Sequence, residues 1–354
     1  MPESKPRVVV TGIAGNLGQR LLPMLADFSV IGVDLHAPAA DAAIKFERMD
    51  LAEESSCGQM LQLLRDIRPA AVVHLAFVLD PVRTGILDLD RMWQVNVAGP
   101  ARVMEAITEM NRNDDDGVRR FIYLSSVAAY GSDLPSPATE ETPLAGHTLP
   151  YAIHKREADA VVQMRATSLR NCNVYILRPP IFAGASVDNY MVGAFRGTPN
   201  GSSPRATKMR ERGKRLPCML PTGKRYLEKR LQFIHVDDMA RLIAHLVGDT
   251  NPEQQRLTVL NVAGRGEAMT FARCVQLAAN KLVRLPGLWL CGAALQFLWD
   301  RGISSVPPEA LPYMTGEYIM DTSKLRAFLG DRYEPVIQHT IEDAFRDTFS
   351  HAKA

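Results

Sequence analysis

The stretch Val8-Val9-Val10-Thr11-Gly12-Ile13-Ala14-Gly15-Asn16-Leu17-Gly18 constrains the fold of this chain more than any other. It opens as a run of β-branched residues and ends in glycines spaced three apart. Leu21, Leu22 and Leu25 follow at offsets that share one helical face. The pattern predicts a buried strand, a tight turn and a helix, the setting in which such glycine spacing carries meaning. Gly12 permits the turn out of the strand. Gly15 removes a Cβ where backbone must approach a pyrophosphate, and Gly18 lets the helix pack close to the sheet. The first turn of the helix then offers unpaired N–H groups to phosphates.

The next strand, Val30-Ile31-Gly32-Val33, ends in Asp34, at the distance where a carboxylate meets the ribose hydroxyls of an adenine dinucleotide and repels a 2′-phosphate. NAD is therefore expected over NADP. The bland alternatives are a glycine-rich surface turn and a solvated strand end. A short strand, Ile44 to Met49, leads to Asp50-Leu51, where a carboxylate can meet the adenine amino group. A helix through Met60, Leu61, Leu63 and Leu64 comes next. Ala70 to Phe77 reads as the fourth strand, with His74 as a satisfied core histidine and a small-residue turn beyond it. A helix is predicted from about Leu89 to Met110. Phe121 to Leu124 is a fifth strand ending in Ser125-Ser126, and Tyr151 to about Leu169 is helical. Asn173 to Leu177 is a sixth strand, and Gln232 to Val236 and Leu257 to Val262 are further strands, with Asp237 or Asp238 capping a helix between them. Strands alternating with helices at this spacing imply a doubly wound parallel sheet, with ligands bound past the carboxyl ends of its strands.

At 354 residues the chain can hold a large α/β domain and a smaller lobe. A net charge of +2 argues against nucleic acid as a partner. Cys57, Cys172, Cys218, Cys274 and Cys291 are odd in number and show no paired spacing, so they read as reduced thiols rather than a disulfide framework or zinc site. Met1 to Lys5 leads straight into a strand, so no signal peptide is expected, and the expected compartment is the cytoplasm. Leu285 to Trp299 is apolar but broken by Pro286, Gly287 and Gly292 and is too short for a membrane span. It reads as a buried helix or pocket wall, with contact to a membrane surface as the alternative. Asp114-Asp115-Asp116-Gly117 reads as a solvated turn, since nothing nearby supplies further calcium ligands. Gly197 to Arg230 is rich in Gly, Pro, Lys and Arg. It is either a mobile, solvated loop or a basic flap over an anionic substrate.

Tyr151 and Lys155 lie four apart on one helix, so their side chains project the same way. An ammonium beside a phenol favours phenolate and brings its pKa from near 10 toward the working pH. The same lysine can hold nicotinamide-ribose hydroxyls. Tyr151 then exchanges a proton as hydride moves to or from a nicotinamide, and Ser126 hydrogen-bonds the reacting oxygen. The competing readings are a packing aromatic, a surface charge and a strand-end cap.

Together these motifs resemble the extended short-chain dehydrogenase/reductases, of the NAD-dependent epimerase/dehydratase family. The resemblance runs through Thr11-Gly12-x-x-Gly15-x-x-Gly18, Asp34, Asp50-Leu51, His74-Leu75-Ala76, Asn96-Val97-x-Gly99, Ser125-Ser126-x-x-x-Tyr130-Gly131, Tyr151-x-x-x-Lys155, Leu177-Arg178-Pro179 and Phe233 to Asp238. It implies a Rossmann-type doubly wound parallel sheet with a smaller, mostly helical C-terminal substrate lobe. Residues 1–180 plus about 232–265 would form the NAD domain, and about 181–231 and 266–354 the substrate lobe. It selects Ser126 over Ser125, giving Ser126, Tyr151 and Lys155 as catalytic residues. The expected NAD contacts are Gly12, Gly15, Asn16, Leu17, Gly18, Asp34, Asp50, Leu51, Leu75, Ala76, Phe77, Asn96, Tyr151, Lys155 and Pro179, with no metal. It also implies a homodimer through the helices containing Asn96 and Tyr151.

For substrate, the departures from the family pattern are informative. Sugar 4,6-dehydratases carry an Asp-Glu pair after the catalytic Ser or Thr; Val127-Ala128 stand there, which argues against dehydration. Many nucleotide-sugar epimerases carry an Asn where Ile181 stands and a diphosphate-binding Arg where Leu231 stands. A buried apolar side chain cannot replace a charge-assisted bond to phosphate. Arg230, the basic stretch and Asn189 are the remaining candidates for such contacts. The favoured reading is an oxidoreductase acting on a ketone or secondary alcohol, in a pocket lined by Ile181, Leu231 and the apolar lobe around Trp289 and Trp299. The alternatives are a nucleotide-sugar epimerase with tightly bound NAD and a non-catalytic dinucleotide sensor.

Overall fold

Strand β1 (Arg7–Thr11) holds the centre of the molecule. Val8, Val9 and Val10 are all fully buried, because both faces of the sheet are covered. Successive side chains point to opposite faces. Val9 joins one core with Ile31, Val72 and Phe121, while Val8 and Val10 join another with Leu21, Leu25 and Ile243. The computed structural model describes residues 5–38, 44–79, 88–112, 117–135, 137–249 and 256–350, so the turn expected at Asp114–Asp116 lies outside the described residues.

The strands that follow are β2 (Ser29–Asp34), β3 (Lys45–Arg48), β4 (Ala71–His74), β5 (Arg120–Leu124) and β6 (Asn173–Arg178). Next come β7 (Ile181–Ala183), β8 (Cys218–Pro221), β9 (Arg230–Leu231), β10 (Phe233–His235), β11 (Leu257–Asn261), β12 (Met269–Thr270) and β13 (Leu282–Leu285). Seven of them form one parallel sheet in the order β11-β6-β5-β4-β1-β2-β3. The chain runs outward from β1 through β3 and returns at β4 on the other side of β1. The order therefore reverses between β1 and β4, and ligands of such sheets bind past that point. Helices Ser56–Ile67, Gly99–Asn111 and Pro150–Ala166 bury their apolar stripes on one face. Val236–Gly248 covers the other, with Leu325 and Tyr333 from the C-terminal part of the chain.

The predicted Leu89–Met110 helix is interrupted. Leu89–Trp93 passes into a π-turn at Gln94–Ala98 before Gly99–Asn111 resumes the α-helix. The strand at Phe233 lies outside the main sheet and pairs with β7. The helix after it is capped by His235, whose Nδ1 accepts from the Asp237 N–H at 3.1 Å, not by Asp237 or Asp238, which sit in the first turn. The basic stretch folds into helix Pro204–Glu211, β8, helix Lys224–Glu228 and β9 rather than a loop. Two of its arginines are spent on main-chain carbonyls: Arg210 donates to Gly201 and Arg215 to Arg196 and Ala278. The smaller lobe packs around Phe195, Phe233, Phe271 and Phe345. Leu285–Trp299 falls mainly in helix Gly287–Asp300, which is not buried: Cys291 alone in it is, and Trp289 is 72% exposed. No helix among the described residues is long and apolar enough to cross a membrane.

Candidate active site

A cavity of about 570 Å³ opens at the switch point between β1 and β4. Of the residues expected to hold a dinucleotide, Gly12, Gly15, Asp34, Asp50, Leu51, Leu75, Ala76 and Phe77 line it. His36, Met49, Val78 and Val95 line it too and were not anticipated. Gly12 has φ +74°, and a Cβ there would stand 2.5 Å from the Ala76 backbone nitrogen, so two backbones meet where only glycine fits. A Cβ on Gly18 would lie 2.6 Å from the Ile13 carbonyl, which explains the close seating of the first helix. The Asp34 carboxylate is fixed at the rim by N–H donors from Ala14 at 3.0 Å and Leu35 at 2.7 Å. Asp50 accepts from the Ala52 N–H at 3.0 Å and is paired with Arg91. A floor of glycine backbone with a fixed carboxylate at the rim fits an adenine dinucleotide lacking a 2′-phosphate.

Asn16, Leu17, Gly18, Asn96 and Pro179 do not line this cavity. Asn16 reaches toward Ser186, and Leu17 packs against the core. The fully buried Asn96 amide pins Val78: its Oδ1 accepts from the Val78 N–H at 2.7 Å and its Nδ2 donates to the Val78 carbonyl at 3.1 Å. The Pro179 carbonyl accepts from the Val127 N–H at 2.8 Å, holding the turn that begins at Ser126. These residues shape the walls behind the cavity.

Ser126 ends the segment after β5, where its side chain accepts from the Ala128 N–H at 3.1 Å. Tyr151 and Lys155 project from the first turns of helix Pro150–Ala166, and the Tyr151 and Ser126 side chains line one cavity. The three expected residues thus converge. The electrostatics differ from expectation. Burial raises the Tyr151 pKa, and the neighbouring Ser126 hydroxyl opposes that shift. The Lys155 amine instead donates to the Leu124 carbonyl at 2.7 Å and lies 3.6 Å from the Phe77 ring centre. That ring packs edge-on against Tyr151 at 5.5 Å. Burial lowers the Lys155 pKa to about 7, and Asp159 one turn on partly restores it. His74 is half satisfied: Nδ1 meets Thr11 Oγ1 at 2.9 Å, and the buried Nε2 has no partner. Burial, then Lys155, lowers its pKa to about 3, so it is neutral.

The sequence reading missed what holds this cluster in place. Arg178 is buried and donates bidentately to the equally buried Asp159, at 2.9 and 2.8 Å. Ser125 donates to the same carboxylate at 2.5 Å, and Arg178 also meets the Tyr130 hydroxyl at 2.7 Å. One signal was available: Asp159 lies four residues beyond Lys155, on the same helical face.

Beside Ser126 and Tyr151 lies a second cavity of about 150 Å³. Its wall is apolar or aromatic at Leu149, Ile181, Phe182, Met191 and Met314, with Ser126, Asn189 and the tyrosines Tyr151, Tyr190, Tyr313 and Tyr318 as its side chains able to hydrogen-bond. Of the expected lining, Ile181 is present. Leu231 is fully buried in the lobe core, Trp289 faces outward, and Trp299 lines neither this cavity nor its neighbour. Arg230 is held by Glu317, which accepts from its backbone N–H and from its guanidinium, both at 2.9 Å. The Asn189 Oδ1 caps the next helix by accepting from the Val192 N–H. Among the described residues, no group of three His, Cys, Asp or Glu could hold a metal.

A parallel sheet with a glycine turn at its switch point and a Ser–Tyr–Lys cluster alongside defines an extended short-chain dehydrogenase/reductase, an enzyme class built around NAD. The chain belongs to the NAD dependent epimerase/dehydratase family, whose model matches residues 8–263. Among curated proteins it is similar to UDP-glucose 4-epimerase 4 of Oryza sativa subsp. japonica, 27% identical over 256 residues. That match takes in 66% of this chain and 65% of the rice protein, so it spans just under two thirds of that relative's length. Among solved structures, UDP-glucose 4-epimerase from Thermotoga maritima with UDP-glucose superposes with a TM-score of 0.65 at 18% identity, over 98% of both chains. The Bordetella bronchiseptica enzyme WbmG in complex with NAD and UDP gives 0.64 at 17% identity, over 98% of this chain and 94% of that one. At these identities the two structures speak for the fold.

Proposed function

We propose that this protein is an NAD-dependent oxidoreductase that moves a hydride at a ketone or secondary alcohol carried on a predominantly apolar substrate. The observation that carries this reading is the wall of the cavity at Ser126 and Tyr151, which is apolar where a sugar nucleotide needs polar anchors. Leu231 is in the core, Arg230 is engaged by Glu317, and Asn189 is a helix cap.

The bound cofactor would supply the hydride as NADH in reduction and accept it as NAD+ in oxidation. Gly12 and Gly15 would cradle its pyrophosphate, and Asp34 and Asp50 would hold the adenosine end. In the reducing direction the Ser126 hydroxyl donates to the carbonyl oxygen, and the Tyr151 hydroxyl delivers the proton that makes it an alcohol. Lys155, one turn along the same helix, is assigned the tuning of Tyr151 in its protonated form, its own pKa being lowered by burial to about 7. Oxidation runs the same steps backward. The same reading makes residues 1–180 with about 232–265 the cofactor domain. It makes the protein a homodimer, supported by exposed Leu89, Trp93 and Met164 on the helices that would meet. Five free thiols agree with a cytoplasmic setting.

The second reading, a nucleotide-sugar epimerase, is favoured by the curated relatives. A thermal-shift panel with saturating NAD, adding UDP, TDP, GDP and ADP in turn, separates the two. A ligand at about 100 times its Kd adds about 2.7 kcal/mol, a shift of a few degrees for a chain this size. Absence of a shift with any nucleotide, with NADH consumed faster as ketones lengthen, is the expected result. A clear shift with one of them moves the assignment to epimerase. Tyr151→Phe is expected to abolish turnover and keep NAD binding; surviving activity removes Tyr151 from its role.

A further inference from the structure

Seven large apolar side chains among the described residues are 40% exposed or more, and they fall into three groups. Leu79 lines the cavity at Tyr151. Leu89, Trp93 and Met164 lie on or beside the helices proposed to dimerise. Leu288, Trp289 and Phe297, at 43%, 72% and 49%, are all on helix Gly287–Asp300, which neither site explains.

The outward stripe of that helix reads Trp289, Ala293, Gln296, Phe297 and Asp300, with Leu288 beside it at the tip. Its first turn follows β13 directly. β13 pairs in register with β8, so Leu285 stands opposite Pro221. The chain then turns through Thr222 and Gly223 into Lys224 and Arg225. Arg284 fastens this turn to the helix base by donating to the Pro221 carbonyl at 2.9 Å and the Gly223 carbonyl at 2.8 Å. The Lys224 side chain is 87% exposed and pairs with Glu228 at 3.2 Å, and the exposed Arg225 beside it donates to the Tyr226 hydroxyl at 3.0 Å. An exposed aromatic helix start therefore follows a strand whose partner strand leads into a fastened basic turn. Fourteen residues make a helix of about 21 Å, too short for a hydrocarbon core of about 30 Å, so a bilayer would receive it lying flat.

We propose that helix Gly287–Asp300 and the basic turn at Lys224–Arg225 dock this protein on the surface of an anionic lipid bilayer. Charge complementarity selects that occupant: Trp and Phe favour the headgroup boundary, and lysine and arginine favour anionic headgroups. The inner side of the same helix gives the orientation a use. Cys291, Leu295 and Leu298 wall a cavity of about 100 Å³, and its Met314 also lines the cavity at Tyr151. Docking thus sets the apolar back of the pocket against lipid.

The test is flotation of the full chain with vesicles of phosphatidylcholine alone and of phosphatidylcholine with one quarter phosphatidylglycerol, at low and high salt. Binding to the anionic vesicles that weakens with salt, with a blue shift of tryptophan emission, is expected. Trp289→Ser with Phe297→Ser should lower partitioning about tenfold or more. Lys224→Gln and Arg225→Gln should each lower it about fivefold. All four side chains are outside the cofactor cavity, so NAD binding reports that the variants are folded. Three results overturn the proposal: no flotation with anionic vesicles at low salt, undiminished binding by the Trp289→Ser/Phe297→Ser variant, or a fall in the solution mass of that variant, which would assign the helix to a second copy of the chain.

Discussion

Arg178→Met tests the physical account of the catalytic floor. Arg178 and Asp159 have side chains 1% and 0% exposed, so both charges are out of water. Without the guanidinium, the Asp159 carboxylate keeps only Ser125 and Gln163 as neutral donors, at 2.5 and 2.7 Å. Breaking a buried pair from one side costs about 3–5 kcal/mol, because it strands a charge. At about 2.1 cal/mol/K per residue of unfolding entropy, a chain of 354 residues should lose roughly 4–7 °C in Tm. Arg178→Lys should recover little, since an ammonium cannot reproduce the two parallel N–H donors. Arg178→Met combined with Asp159→Leu should recover most of the loss, because the desolvation cost leaves with the pair. The assay is a double-mutant cycle by urea denaturation, with NAD binding measured on each variant. Additive losses, or a single-variant cost below about 1 kcal/mol, would refute the argument that the pair's value lies in mutual neutralisation.

Three other outcomes are expected. Gly12→Ala places a Cβ 2.5 Å from the Ala76 nitrogen at φ +74° and should cost about 1–3 kcal/mol in strain and abolish NAD binding by calorimetry; normal binding would mean the turn does not hold the pyrophosphate. Asp34→Ala removes a carboxylate positioned by the Ala14 and Leu35 N–H groups, so NAD should bind about 10–100-fold more weakly while NADP improves; unchanged discrimination between the two would displace Asp34 from the ribose site. Lys155 has its pKa lowered by burial to about 7, whereas in the unfolded chain it titrates near 10.5. Between those values the unfolded state binds the extra proton, so this group's contribution to stability rises with pH through that window. Lys155→Met should therefore flatten the Tm profile between about pH 7 and about pH 10 relative to the parent protein, and a constant Tm difference across that range would contradict the burial argument.

What was legible in the sequence is what local chemistry dictates. A valine run followed by spaced glycines leaves the backbone few choices, and a tyrosine and lysine four apart on a helix must share a face. That Asp34 would line the cavity beside the glycine turn followed from distance along the chain. Contacts distant in sequence were not legible. Nothing near Lys155 reveals that its amine lies on Phe77 and the Leu124 carbonyl. Arg230 gives no sign that Glu317 will occupy it. The basic stretch resembled a loop because the carbonyls that Arg210 and Arg215 bond are brought in by tertiary packing, which composition does not record. Helix Gly287–Asp300 was legible on one side only: Cys291, Leu295 and Leu298 wall a pocket as expected, but apolar residues all round a helix ordinarily signal burial, and here Leu288, Trp289 and Phe297 face outward.

The π-turn at Gln94–Ala98 carries one residue more than an α-helical turn of the same span. Each residue of an α-helix advances the azimuth by about 100°, so the extra residue resets the phase between the two halves of the rod. Val103, Met104 and Ile107 can then face the sheet while Asn96 still meets Val78 and His154. The element is therefore tolerant of changed letters and intolerant of changed length. Deleting one residue anywhere from 94 to 98 would turn Asn96 away from Val78 or Val103 away from the sheet, an error that no compensating substitution on either side could rotate back.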